Sequence, residues 1–153
     1  MNLTNLKRLI VLEGDSNSGK TTTLNDVYNK LKTAFPQSTP LYEKTFKSGS
    51  LKDHLLVMTG KAGRLTAIHT SGDDANRVVR SFAVAEKFKC EVLVMAVTKP
   101  KRTSTLPIAE IAFDEIVQAN ALQPQRHQTQ SLGQQSAMKQ MAQQLSNAIW
   151  QQM

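Results

Sequence analysis

Leu9-Ile-Val-Leu-Glu-Gly-Asp-Ser-Asn-Ser-Gly-Lys-Thr-Thr22 joins an apolar run to a glycine-bearing turn and the start of a periodic segment. The run Leu9 to Glu13 has the pattern of a parallel strand buried on both faces. Past the turn, Leu24, Val27, Tyr28 and Leu31 recur at i, i+3, i+4 and i+7. They give one apolar face to a helix from about Lys20 to Ala34, which Pro36 ends. Between the two lies Gly14-Asp-Ser-Asn-Ser-Gly-Lys-Thr21. Glycines at its ends let the backbone bend tightly, so that successive N–H groups turn inward around an anion. A helix beginning at Lys20 adds its own free N–H groups and the positive end of its dipole. The spacing predicts a phosphate cradle made of Gly14, Asp15, Ser16, Asn17, Ser18, Gly19, Lys20, Thr21 and Thr22.

The cradle matches Gly-x4-Gly-Lys-Ser/Thr at every fixed position. In that pattern Lys20 reaches the β- and γ-phosphates, Thr21 sets its hydroxyl on Mg²⁺, and Thr22 bonds on the α-phosphate side. Leu12-Glu-Gly-Asp-Ser-Asn-Ser-Gly-Lys-Thr-Thr22 resembles the P-loop NTPase superfamily, and within it the small nucleoside and nucleotide kinases. The likeness implies Mg²⁺-ATP as the ligand and either ATP hydrolysis or phosphoryl transfer as the reaction. It also implies an acidic residue near the metal, at the end of a neighbouring strand.

Asp73 and Asp74 are the two candidates for that acid, after the strand Leu65 to His69. His69, Thr70, Ser71 and Gly72 intervene, where the usual acid follows the apolar residues directly. Asp73 is assigned to the metal or to a water-orienting role, and Asp74 to the N-cap of the next helix. Asp15, inside the loop, is a second candidate base for an acceptor hydroxyl. Lys99, Lys101 and Arg102 follow the apolar strand Val92 to Val97, at the carboxyl end where ligands of open α/β sheets sit. They are candidate cations for the transferred phosphoryl group, or simply a solvated basic loop. Arg77 and Arg80 are further cations on the helix after Asp74.

The rest of the chain alternates strands with helices. Strands are expected at Leu41 to Phe46, Leu55 to Met58 and Leu65 to His69, with an edge strand at Gln125 to Gln130. One helix would bury Ala75, Val78, Val79, Phe82 and Ala83. Another, with Pro107 in its first turn, would bury Ile108, Ile111, Ala112 and Ile116. A glutamine-rich helix at about 134–152 would dock through Met138, Met141, Ala142, Leu145, Ala148 and Ile149. The order predicts one domain over residues 1–153, a three-layer α/β sandwich with a mostly parallel central sheet.

Composition narrows the partners. The chain of 153 residues carries a formal charge of +7, which suits a nucleotide or a nucleic acid without choosing between them. Aromatic residues are 5% of the chain and do not interleave with basic ones, so no single-strand stacking platform is expected. Cys90 stands alone, which excludes an intrachain disulfide and a thiolate cluster, and His54, His69 and His127 lack ligand spacing. No apolar run approaches the ~18 residues of a membrane span, and no secretory signal is apparent. A cytoplasmic protein is expected. No arginine-dense lid and no Asn-Lys-x-Asp guanine signature is present, and Thr98-Lys-Pro-Lys101 shares only a lysine with the latter. ATP is therefore preferred over GTP. The acceptor is a small molecule for a kinase-like enzyme, or a protein or nucleic acid partner for a nucleotide-dependent switch with little turnover.

Overall fold

The structure, a computed structural model, describes residues 1–48, 51–99 and 108–153. The elements run β1 (Arg8–Gly14), α1 (Lys20–Ala34), β2 (Tyr42–Ser48), β3 (Leu51–Thr59), β4 (Leu65–His69), α2 (Ala75–Lys87), β5 (Val92–Thr98), α3 (Ile108–Ala119), β6 (Pro124–Gln128) and α4 (Gln135–Gln152). The strands form one six-stranded sheet in the order β2-β3-β4-β5-β1-β6. β4, β5, β1 and β6 are parallel, while β2 and β3 form an antiparallel extension on β4. The sheet is mostly parallel and mixed, with helices on both faces.

Strand periodicity explains the two core layers. On β1, Leu9 and Val11 point to one face, and Ile10 and Leu12 to the other. On β5, Leu93, Met95 and Val97 share the first face with Phe82 of α2 and Phe113 of α3. Val92, Val94 and Ala96 share the second with Leu24, Val27 and Leu31 of α1 and with Ile149 of α4. Strands that are apolar on both faces need cover on both, and each fully buried Leu or Ile contributes roughly 1.5–3 kcal/mol.

Two buried stripes differ from expectation. α2 buries Val78, Ser81, Phe82 and Ala85, whereas Val79 and Ala83 face solvent. The inward hydroxyl of Ser81 is satisfied by His69 Nδ1 at 2.7 Å, so a polar residue replaces an apolar one on the stripe. α3 buries Ala109 and Phe113, with Ala112 and Ile116 partly covered, and leaves Ile108 and Ile111 exposed. Phe113 packs on Phe82 at 5.8 Å between ring centroids, and that contact sets the rotation of the helix. Pro107 lies outside the described residues.

α4 is held at its far end by cations. Arg8 donates to the Gln152 carbonyl at 2.9 Å, Arg64 to that of Met153 at 3.2 Å, and Lys61 to that of Trp150. Lys61 Nζ also sits 4.3 Å from the Trp150 ring centroid. The last turn of α4 has no basic residue of its own, so these three side chains neutralise the negative end of its dipole. Among the described residues, no helix is long and apolar enough to cross a membrane.

Candidate functional site

The 14–21 loop joins β1 to α1 through two residues in the left-handed region, Asn17 at φ 60° and Gly19 at φ 92°. Only glycine takes the second without strain. Gly14 is needed for a different reason. A Cβ there would lie 1.9 Å from Thr129 Oγ1 and 2.7 Å from Ser18 Oγ. Ser18 donates to the Asp15 carbonyl at 2.6 Å and shares a hydrogen bond with Thr129, just past β6. Thr129 N in turn donates to the Glu13 carbonyl at 2.9 Å. The loop is thus pinned from inside and from the neighbouring strand.

α1 opens on Gly19 with no side-chain cap and no acidic residue in its first turn. Its regular bonding begins with Thr23 N donating to the Gly19 carbonyl at 3.0 Å. The N-terminal N–H groups ahead of Thr23 lack a side-chain partner, the condition in which a helix end accepts an anion. Lys20 is buried, and its ammonium donates back across the loop to the Asp15 carbonyl. Burial lowers its pKa, opposed by the charges of Asp73 and Asp15.

A cavity of about 430 Å³ opens in front of this loop. Ser16, Asn17, Gly19, Lys20, Thr21 and Thr22 form one wall, and Thr70, Gly72, Asp73 and Ala96 form the floor at the carboxyl ends of β4 and β5. Gln135, Met138, Lys139 and Ala142 of α4 complete it. The distance between His69 and Asp73 in sequence has a structural explanation. Thr70, Ser71 and Gly72 continue buried beside β5, with Thr98 N donating to the Gly72 carbonyl at 3.0 Å. Gly72 packs so tightly that a Cβ would lie 1.8 Å from the Ala96 carbonyl oxygen. Asp73 therefore emerges level with Thr98, which is paired with Gly14 across the sheet.

The acids and cations divide their duties. Asp74 is the N-cap of α2 and accepts from Arg77 N at 2.8 Å. Asp73 faces the cavity, 3.8 Å from the Arg77 guanidinium, which lies 3.1 Å from Asp74. Arg77 is thereby engaged by two carboxylates, and Arg80 stacks over Phe46, 5.7 Å from its ring centroid. Lys99 lies 3.2 Å from the buried carboxylate of Glu13, which also pairs with Arg126. Lys99 and Arg77 are thus already neutralised, and neither they nor Arg80 line the cavity. Lys101 and Arg102 lie outside the described residues. Asp15 acts on Lys20 through its charge and its carbonyl, and its side chain is not on the cavity wall.

Three contributors were missed from sequence. Asp53 on β3 is buried, and its carboxyl pKa is raised by burial and then by the negative charge of Asp73. It reads in sequence as one charge in an ordinary strand, Lys52-Asp-His54. Thr129 has no local pattern that ties it to Gly14. Lys139 reads as a solvent-facing residue of a polar helix, and it is exposed, yet it also lines the cavity. Among the described residues, no group of three or more His, Cys, Asp or Glu residues forms a metal cage. The donors on the wall, the Thr21 hydroxyl and the Asp73 carboxylate, fit Mg²⁺, which takes few protein ligands and keeps water and phosphate oxygens.

Compared with protein-family models, curated proteins and solved structures, the chain gives no match.

Proposed function

We propose that this chain is a P-loop protein that binds Mg²⁺-ATP in the cavity and acts as a small ATPase or a kinase-like phosphotransferase. The observation that carries the reading is the convergence of Lys20, Thr21 and Asp73 on one cavity at the uncapped start of α1. Backbone N–H groups and Lys20 would hold the phosphate chain, and Thr21 and Asp73 would hold the metal. Bound there, Mg²⁺ would neutralise charge on the β- and γ-phosphate oxygens. The strand order, with β1 among parallel neighbours and the loop at their carboxyl ends, supports a P-loop fold.

A nucleotide-dependent switch is the second reading, and the α4 wall favours it. A helix that lines the ligand cavity can transmit its occupancy to a protein or nucleic acid partner.

Turnover of Mg²⁺-ATP separates the two readings, measured with and without nucleosides and nucleoside monophosphates and beside Lys20→Ala. Product that requires an acceptor makes the protein a kinase and names its substrate. Phosphate release without an acceptor makes it an ATPase, and binding without turnover favours the switch. Triphosphate binding that survives in a folded Lys20→Ala protein would overturn the assignment.

A further inference from the structure

α4 contains one charged side chain, Lys139. Gln135, Met138, Lys139 and Ala142 fall at i, i+3, i+4 and i+7, so the face of α4 that lines the cavity is also the face that carries its only charge. Lys139 is exposed at the cavity, while Gln140, Gln143, Gln144 and Gln151, also exposed, are neutral. The placement of the lysine runs against the local field. Lys139 lies in the second turn, close to the positive end of the helix, and no acidic residue in the first turn offsets it. Among the described residues no carboxylate pairs with it.

Met138 makes the juxtaposition close. Its Cε would meet a Cβ on Gly19 at 3.4 Å, so this face of α4 rests on the loop itself. A polyphosphate entering between them meets Lys20 on one wall and Lys139 on the other. We propose that Lys139 is a second phosphate-binding cation of the cavity, delivered from the terminal helix and directed at the phosphate chain of the nucleotide. This rests on the reading of the cavity as a triphosphate site. It assigns α4 a direct part in ligand binding, in addition to its packing on α1.

Calorimetric titration with Mg²⁺-ATP tests it on the full chain, comparing wild type, Lys139→Gln, Lys139→Arg, Lys20→Ala and Lys87→Gln, the last on the remote end of α2. Loss of a charge-assisted contact predicts binding about tenfold weaker in Lys139→Gln, with a shallower salt dependence. Lys139→Arg should stay near wild type. Trp150 emission should be unchanged in the unliganded Lys139→Gln protein, because its packing is remote from the substitution. If Lys139→Gln binds like wild type while Lys20→Ala does not, Lys139 is not a ligand and the triphosphate site stands. If Lys87→Gln weakens binding as much, the effect is one of net charge and the proposal fails. If neither Lys139→Gln nor Lys20→Ala affects binding, the triphosphate reading fails and takes this proposal with it.

Discussion

Thr98 Oγ1 donates a hydrogen bond to Asp73 Oδ1 at 2.8 Å, fastening the end of β5 to the carboxylate proposed for the metal. Because Thr98 is paired with Gly14, one line across the sheet connects the loop glycine, the threonine and the acid. A carboxylate held in this way has Oδ1 occupied by Thr98 and leaves Oδ2, 3.8 Å from the Arg77 guanidinium, as the oxygen for a metal. Asp73→Asn should weaken Mg²⁺ dependence of nucleotide binding about tenfold or more, and Thr98→Val should weaken it by less. Metal titrations at fixed ATP would show this. An unaltered titration in Asp73→Asn would reduce that residue to a helix-end carboxylate.

Gly72→Ala should be severely destabilising. The added Cβ meets the backbone oxygen of Ala96 at 1.8 Å, and backbone cannot swing aside as a long side chain does. The overpacking penalty is about 1–3 kcal/mol or more, and the shift should carry Asp73 with it. Urea unfolding would report the lost stability, and ATP titration of the still-folded fraction would report the displaced acid. A normal unfolding midpoint would show that the strands separate more easily than their packing indicates.

His69 makes a pH prediction with a definite sign. Its imidazole is buried against Ser81, and its pKa is lowered to about 4, by desolvation first and then by Arg80 and Arg77. The unfolded chain binds the proton near 6.5, so between those values it holds more protons than the fold does. The neutral imidazole's contribution is complete above the unfolded value and is lost as the pH falls toward the folded one. At pH 5 the loss is about 2 kcal/mol. Denaturant midpoints at pH 7 and pH 5 should therefore differ more in wild type than in His69→Gln. Equal differences would remove His69 as the cause.

Lys61→Ala should loosen α4 without unfolding the sheet. The side chain supplies both a carbonyl contact and a cation over the Trp150 ring. Together these are worth about 1 kcal/mol. Trp150 emission should shift and α4 amides should exchange faster, while β1 and β5 amides keep their protection. Uniform loss of protection would instead make α4 part of a single cooperative unit with the sheet.

How much of this was legible in the chain varies with the range of the interaction. The strand at Leu9, the helix from Lys20 and the strand at Val92 are written in local periodicity, and the structure has all three. The Asp74 cap is likewise a short-range signal. The stripes of α2 and α3 were misplaced because those helices carry more apolar residues than their contacts use. Which ones turn inward is settled by partners such as Phe82 and Phe113, distant in sequence. The same limit hid Thr129, whose role exists only because β6 pairs with β1. Lys99 sits where the topology of the strand ends put it, yet Glu13 beside it claims the charge. A formal charge count could not show that pairing.

The cations at the end of α4 have a mechanical consequence. With Arg8, Lys61 and Arg64 gripping its last carbonyls, the helix is a beam built in at one end and resting on the loop near the other. A fixed far end turns any lift at Met138 into rotation rather than sliding, so displacement grows with distance from the clamp. Were Met138 lifted, Ser136 would travel farther than Asn147, which Lys30 of α1 also holds. A probe at Ser136 would serve as the pointer on that gauge, and one at Asn147 as its stationary reference.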